Sequence, residues 1–328
     1  MKPKILVTRR LPDDVMTRID TAFTATHNPA DAPMAADALI AGAKGQDGLL
    51  VTITEPVTAE IIDALPKSIK IISTFSVGYE HIDVNAAAAR NIIITNTPDV
   101  LTDATADLAM MLILGITRRA HEGEQAIRQN KWPHWAPTKG VESGLGVGLR
   151  GRRLGILGMG RIGQALAARA RAFGLEIHYH NRRRLPDTEE QSAIWHDTAE
   201  RLLGISDILS LNAAATQQTH DFLNADRIAL MPDNAFVINT ARGALINDDA
   251  LIAALTSGKL RGAGLDVFAG EPVIDPRYRD LPNTFLMPHL GSATEETRSA
   301  MGHRAVDNLE AFFNGSTTID PVAPQEVK

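Results

Sequence analysis

Short aliphatic runs recur through the first hundred positions. Residues 5–7, 49–51, 69–72 and 92–94 are built almost wholly of Ile, Leu and Val. They lack polar alternation, which predicts parallel strands covered on both faces. The segments 35–41 and 59–65 read as the helices that cross between them. A second series follows, with apolar runs at 154–157, 177–179, 208–211, 236–238, 265–267 and 285–287. Helical spacing lies between most of these runs, most clearly at 198–203, 225–230 and 248–257, the last followed by Gly258 as a stop. Alternating strands and helices predict an α/β chain, here with two doubly wound parallel sheets.

Residues 102–129, rich in Ala, Leu and Met, predict one long helix or a bent pair joining the two series. After the sixth strand of the second series, Ser292 or Thr294 can cap a helix that runs to Asn314 and stops at Gly315. No strand follows, so this helix is expected to pack on the first domain. The expected organisation is a discontinuous domain of residues 1–100 plus 291–328, a second domain of 101–290, and a cleft between them. The glycine-rich segment 140–151 reads as a surface connection.

Gly158-Met159-Gly160-Arg161-Ile162-Gly163 is a G-x-G-x-x-G placed between a strand and an amphipathic helix. The helix carries Ile162, Ala165, Leu166, Ala170 and Phe173 as its apolar stripe, with Gly174 as the stop. In such a turn the first glycine bends the chain, the second lets backbone approach a pyrophosphate, and the third lets helix lie close on sheet. The free helix N–H groups then face the diphosphate. A glycine-rich turn without a ligand is the plainer reading, and the strand–turn–helix context weighs against it. The next strand, 176–180, is followed by Asn181, eighteen residues past Gly163. NAD-selective sites place an acid near this point to bind the ribose 2′-hydroxyl. Here a neutral Asn181 is followed by Arg182-Arg183-Arg184, and guanidinium groups bind phosphate bidentately. Asn181, Arg182 and Arg183 therefore point to NADP(H) as the preferred cofactor, with NAD(H) the alternative. A solvated basic loop is the bland reading of the same run.

Composition narrows the chemistry. The formal net charge is −6, which argues against bulk binding of nucleic acid or anionic lipid. There is no Cys among the 328 residues, so disulfides, thiolate metal sites and a Cys nucleophile are excluded, and a reducing cytoplasm is the expected setting. The longest apolar run, 108–116, falls well short of the roughly 20 residues of a membrane span. His178 and His180 share one strand face, but no third ligand accompanies them and no metal site is expected.

Further motifs complete the picture. They are Ser76-Val77-Gly78-Tyr79-Glu80-His81-Ile82-Asp83, Asn239-Thr240-Ala241-Arg242-Gly243, Gly264-Leu265-Asp266-Val267-Phe268-Ala269-Gly270-Glu271-Pro272, and Pro288-His289-Leu290-Gly291-Ser292-Ala293-Thr294. With the dinucleotide fingerprint, the chain resembles the D-isomer-specific 2-hydroxyacid dehydrogenases, and within them the glyoxylate/hydroxypyruvate reductases. The resemblance spans nearly the whole chain. It implies a flavodoxin-like substrate domain, a Rossmann nucleotide domain, and a catalytic set matching Arg242, Glu271 and His289. Taken singly these residues would read as a surface turn, a loop and a structural His. Their chemistry nevertheless suits reduction of a 2-oxo acid. Arg242 can hold the carboxylate and polarise the ketone. His289 can give the proton, and Glu271 beside it would stabilise the imidazolium.

The resemblance also implies that Val77 and Gly78 offer backbone N–H groups to the substrate carboxylate. It assigns Thr105 and the nicotinamide-facing Asp266 to cofactor contacts, and Gly158, Gly160, Arg161, Ile162 and Gly163 to the pyrophosphate. Thr240, Ala241 and Gly291 complete the implied cofactor site. Residues around 118–150, with Trp132 and Trp135, resemble a dimerisation arm and imply a homodimer; simple hydrophobic packing would equally account for the tryptophans. One departure stands out. Asn212-Ala213-Ala214 replaces the His-x-Pro segment usual in the family, in a loop that borders the adenosine in relatives. Two alternatives stay open: another D-2-hydroxyacid dehydrogenase acting on a phenylpyruvate-like or other 2-oxo acid, and a dinucleotide-sensing corepressor that works by binding partners.

Overall fold

The computed structural model describes residues 2–141 and 144–324. Glu142 and Ser143, within the glycine-rich connection and the expected arm, lie outside the described residues, as do Met1 and residues 325–328. The chain divides into two compact units, Met1–Leu101 with Ala293–Lys328, and Thr102–Ser292.

In the first unit, β1 (Lys4–Val7), α1 (Asp13–Ala22), β2 (Thr24–His27), α2 (Ala36–Gly42), β3 (Gly48–Val51), α3 (Ala59–Ala64), β4 (Ile71–Thr74), α4 (Val84–Ala89) and β5 (Ile93–Thr95) alternate along the chain. The strands form one parallel sheet in the order β2-β1-β3-β4-β5, the doubly wound order with its switch point between β1 and β3. The aliphatic runs predicted four of these strands. The fifth, β2, reads Thr-Ala-Thr-His and occupies the sheet edge, where one face meets solvent and no aliphatic run is needed. Strand β4 is displaced from the expected 69–72 because Ser73 and Thr74, both fully buried, extend its carboxyl end.

The terminal helix, Glu295–Phe313, belongs to this unit and packs on α1 and β4. Thr294, not Ser292, caps it by accepting the Thr297 N–H at 3.2 Å. Its Met301, Ala305, Val306 and Leu309 join Ile5, Val7, Leu50 and Ile71 in one core. Gly302 permits the close approach to α1, since a Cβ there would lie 2.5 Å from Val15 Cγ2. Asn308 is fully buried. Its Nδ2 donates to the carbonyls of Asn96 and Arg304 and to Asp320 Oδ2, and its Oδ1 accepts the Asp320 N–H at 2.9 Å. Arg304 closes the group with paired bonds of 2.6 and 2.8 Å to Asp320.

The second unit runs α5 (Thr102–Thr117), α6 (Ala120–Arg128), β6 (Arg153–Leu157), α7 (Arg161–Ala172), β7 (Glu176–His180), α8 (Asp187–Glu190), β8 (Ile194–Trp195), α9 (Ala199–Ile205), β9 (Ile208–Leu211), α10 (Ala225–Leu230), β10 (Ala235–Asn239), α11 (Asp248–Ser257), β11 (Leu260–Leu265) and β12 (Thr284–Leu286). Its parallel sheet has the order β12-β11-β10-β9-β6-β7-β8. The helical stretch 102–129 is the bent pair, broken at Arg119, whose φ is +56°.

Two expectations need correction. The sheet has seven described strands rather than six, because the two-residue β8 is too short to leave a pattern. The strand expected at 265–267 is β11, five residues earlier, and its glycines disguised it. A Cβ on Gly262 would lie 2.8 Å from Ile116 Cγ1, and one on Gly264 would lie 3.0 Å from Leu112 Cβ. Glycine is what lets α5 lie against this strand. Among the described residues no helix is long and apolar enough to cross a membrane.

Replacing Asn308 by Ala would leave the carbonyl of Asn96 and the amide of Asp320 without their partner. Chemical denaturation of Asn308→Ala should show a loss of roughly 2–3 kcal/mol, the usual cost of stranding buried polar groups.

Candidate active site

The turn between β6 and α7 is shaped by its three glycines. Gly158 has φ +95°, and a Cβ there would come 2.7 Å from the Ala213 N atom. A Cβ on Gly163 would come 2.5 Å from the Gly158 oxygen, so only glycine lets the helix start this close to the strand. Gly160 faces open space, with nothing within 4 Å of its would-be Cβ. Gly160 caps α7 without a side-chain acceptor, so the first turn of the helix opens onto the cradle. Two further polar atoms at neighbouring strand ends, Thr240 Oγ1 and Asn212 Oδ1, are buried without a partner. The open cradle at the N-terminus of α7 fits the diphosphate of a dinucleotide; Thr240 Oγ1 can donate to a phosphate, whereas Asn212 Oδ1 can only accept.

The end of β7 sorts the basic run. Asn181 turns back onto the cradle, its Oδ1 accepting the Met159 N–H at 2.6 Å. Arg184 makes two 2.8 Å bonds to Glu190, which also accepts from the buried Tyr179 hydroxyl. Arg184 and Tyr179 hold the Glu190 carboxyl down at about 2, while burial and Glu190 push Tyr179 up to about 12. Arg184 is therefore spent on the fold of its own loop. Arg182 and Arg183 are exposed and form no ion pair with any described residue. Sequence alone could not separate the three arginines, because Glu190 arrives from α8. On the other face of β7, His178 Nδ1 lies 2.9 Å from His196 Nε2, and burial lowers both rings. Among the described residues no three His, Cys, Asp or Glu side chains are grouped to hold a metal.

Arg242, Glu271 and His289 stand beyond the carboxyl ends of β10, β11 and β12. The fully buried Asn239 shapes the first turn, accepting the Ala241 N–H at 3.0 Å and donating to the Arg242 carbonyl at 2.9 Å. Gly243 follows in direct contact with the next loop, since a Cβ would sit 1.9 Å from the Phe268 carbonyl carbon. Phe268 in turn donates its N–H to Glu271 Oε1 at 2.7 Å, and Glu271 Oε2 lies 2.6 Å from His289 Nδ1. That pairing leaves Nε2 of His289 for a reacting group. Burial pushes the Glu271 carboxyl up, but the bonds from His289 and Phe268 and the charges of His289 and Arg242 outweigh it, so it sits below its ordinary value.

His289 itself has φ +56°, a left-handed conformation that costs energy in a non-glycine residue. Asp266, 1% exposed, imposes it. Its two carboxylate oxygens accept the N–H groups of Leu290 and Gly291 at 2.6 and 2.8 Å, and its carbonyl accepts the His289 N–H at 2.9 Å. Burial raises the Asp266 carboxyl against the lowering effect of those two amides. Thr105, also buried, donates to the Gly291 carbonyl at 3.1 Å. Asp266, Thr105 and Gly291 thus form the floor beneath His289. Sequence reading missed Asn239 and the Phe268 amide as supports; both lie inside the quoted motifs, but their contacts are tertiary. In the first unit, Val77 and Gly78 lie half-buried in the loop after β4.

A glycine cradle at the switch point of a doubly wound sheet is the geometry of a dinucleotide-binding domain. The family model described as D-isomer specific 2-hydroxyacid dehydrogenase, NAD binding domain, matches residues 110–291, and the chain belongs to the D-isomer-specific 2-hydroxyacid dehydrogenases. It is accordingly an NAD(P)-dependent 2-hydroxyacid dehydrogenase. A glycerate dehydrogenase from Hyphomicrobium methylovorum is 45% identical over 96% of this chain and 97% of that protein. A glyoxylate reductase from Thermococcus litoralis is 41% identical over 96% of this chain and 95% of its own length. The solved structure of an NADPH-dependent glyoxylate/hydroxypyruvate reductase from Sinorhizobium meliloti, in complex with NADP and malonate, superposes with a TM-score of 0.89 at 35% identity, covering 99% of this chain and 98% of that one.

Two outcomes follow from the packing around Glu271. Gly243→Ala has no room beside Phe268 and should cost roughly 1–3 kcal/mol in denaturation, as overpacking does. The Glu271 carboxyl ionises below its ordinary value of 4.5 in the folded chain. Its contribution is therefore complete above that value and is lost as pH falls through the lowered one. The stability gap between wild type and Glu271→Gln, followed by denaturation at a series of pH values, should be full at neutrality and close in the acid range.

Proposed function

We propose that this enzyme reduces small 2-oxo acids with NADPH in preference to NADH, glyoxylate and hydroxypyruvate being the leading substrates and glycolate and D-glycerate the products. The observation that carries the reading is the 2.6 Å pairing of His289 with Glu271, which leaves one imidazole nitrogen to serve as proton donor. The names of the relatives, glycerate dehydrogenase and glyoxylate reductase, support the substrate class.

The nicotinamide, when bound, supplies the hydride. The chain's own residues do the rest. Arg242 holds the carboxylate and polarises the ketone. Val77 and Gly78 give backbone N–H groups to the same carboxylate. His289 delivers its Nε2 proton to the developing alkoxide, and Glu271 stabilises the charged ring before that transfer. Arg161 and Ile162 meet the pyrophosphate, and Arg182 and Arg183 read the 2′-phosphate, since both are exposed and unpaired while Arg184 is not. The protein works as a cytoplasmic homodimer, its arm around residues 118–150 carrying Trp132 and Trp135, which are 58% and 75% exposed.

A steady-state panel of glyoxylate, hydroxypyruvate, pyruvate and phenylpyruvate with each cofactor tests the reading. Changing Arg182 and Arg183 together to Ala should raise KM for NADPH roughly ten- to a hundredfold, the worth of one or two charge-assisted bonds, and leave NADH nearly unchanged. Equal effects on the two cofactors would remove the arginines from 2′-phosphate recognition. Binding of NADPH with no turnover of any 2-oxo acid would favour the corepressor reading.

A further inference from the structure

The loop after β4 is held by its carbonyls. The Ser76 carbonyl accepts the Thr97 N–H at 2.9 Å. The Val77 carbonyl accepts from Asn96 Nδ2 at 2.8 Å, and the Gly78 carbonyl accepts from Ser76 Oγ at 2.6 Å. A trans peptide is planar, so its N–H points opposite to its C=O. Fixing three consecutive carbonyls therefore fixes the N–H groups of Val77, Gly78 and Tyr79 in the reverse directions. None of these three N–H groups donates to a described residue. The backbone presents three oriented donors in a row, and their orientation comes from side chains rather than from regular structure.

The hydroxyl links define the direction of each proton. Ser76 Oγ donates to the Gly78 carbonyl, so toward Thr74 Oγ1, 2.8 Å away, it can only accept. Thr74 Oγ1 then spends its proton on Ser76 and must accept from His81 Nε2 at 3.0 Å. The relay runs from His81 through Thr74 and Ser76 to the Gly78 carbonyl, and it requires His81 to carry a proton on Nε2. Asn96 is held independently, its carbonyl accepting from the buried Asn308 and its N–H donating to the Asp320 carbonyl.

We propose that Asn96 and Ser76 are positioning residues for carboxylate recognition, and that the Tyr79 N–H joins those of Val77 and Gly78 as a third donor. Asn96 turns the Gly78 N–H toward the anion by anchoring the Val77 carbonyl, and Ser76 does the same for the Tyr79 N–H. The inference rests on the reading that this loop binds the substrate carboxylate, and it names the side chains that make the loop competent.

The test uses oxalate as the carboxylate probe, titrated calorimetrically into the NADPH-loaded full chain, alongside steady-state kinetics with glyoxylate. Asn96→Ala and the near-isosteric Asn96→Asp, which loses the donor but keeps the volume, should each weaken oxalate roughly ten- to a hundredfold and raise KM for glyoxylate alike. NADPH affinity should hold within about twofold and kcat should change far less than KM, a split that general loosening of the fold would not produce. Ser76→Ala should do the same. Oxalate affinity within twofold of wild type in a variant that still binds NADPH overturns the proposal, as does a wild-type protein that ignores oxalate. A wild type that binds oxalate but reduces no 2-oxo acid sinks the proposed reaction while leaving the positioning roles to be decided by the same variants.

Discussion

The arrangement of the candidate catalytic edge depends on one buried carboxylate. Asp266 lies at the end of β11, and both its oxygens are taken by the amides that follow His289. A carboxylate this buried is expensive to leave unpaired. The amides of Leu290 and Gly291 are therefore obliged to face it, and the chain before them has to bend. The bend falls on His289, which is why a non-glycine residue accepts a left-handed backbone at that position. The strain is sustained because Asp266, Thr105 and Glu271 constrain the same few residues from different sides.

Close backbone approach is the second constraint, and glycine is its currency at several levels. Gly262 and Gly264 let α5 lie on β11, so the long helix is seated directly against the strand that leads to Asp266. Gly243 lets the Arg242 turn touch the Phe268 segment, whose N–H holds Glu271. One loop thus supports two neighbours. At Gly243 the contact is backbone to backbone, so no rotamer change can relieve an added Cβ, and close packing holds the Arg242 turn against the Phe268 segment.

The strands built from aliphatic runs were legible because a parallel strand covered on both faces must be apolar throughout. Those that lacked such a run were not. Strand β2 sits at an edge and alternates Thr with Ala and His, and β8 has two residues; β11, whose glycines trade side chains for helix contact, was legible only at its carboxyl end. The same divide runs through the site. Motif spacing placed Arg242, Glu271 and His289 at strand ends, and topology alone carries that information. It could not tell that Arg184 would be claimed by Glu190, that Asn181 would fold back onto Met159, or that Thr105 and Asp266 would turn inward beneath His289. Each of those depends on a partner distant in sequence, and no local pattern records it.

The return of the chain to the first unit has a physical logic beyond filling a core. The terminal helix buries Met301, Ala305, Val306 and Leu309, which hydrophobic packing explains. A polar residue in the middle of that face needs another reason. Both ends of the Asn308 amide are engaged, its Nδ2 with the Asn96 carbonyl, the Arg304 carbonyl and Asp320 Oδ2, and its Oδ1 with the Asp320 N–H. An apolar residue there would leave the Asn96 carbonyl and the Asp320 N–H unpaired. What the asparagine adds is a fixed address for residue 96, whose side chain in turn orients the Val77 peptide. Buried polar networks specify position where apolar contacts only specify proximity. The last helix therefore contributes geometry to a loop more than two hundred residues earlier in the chain.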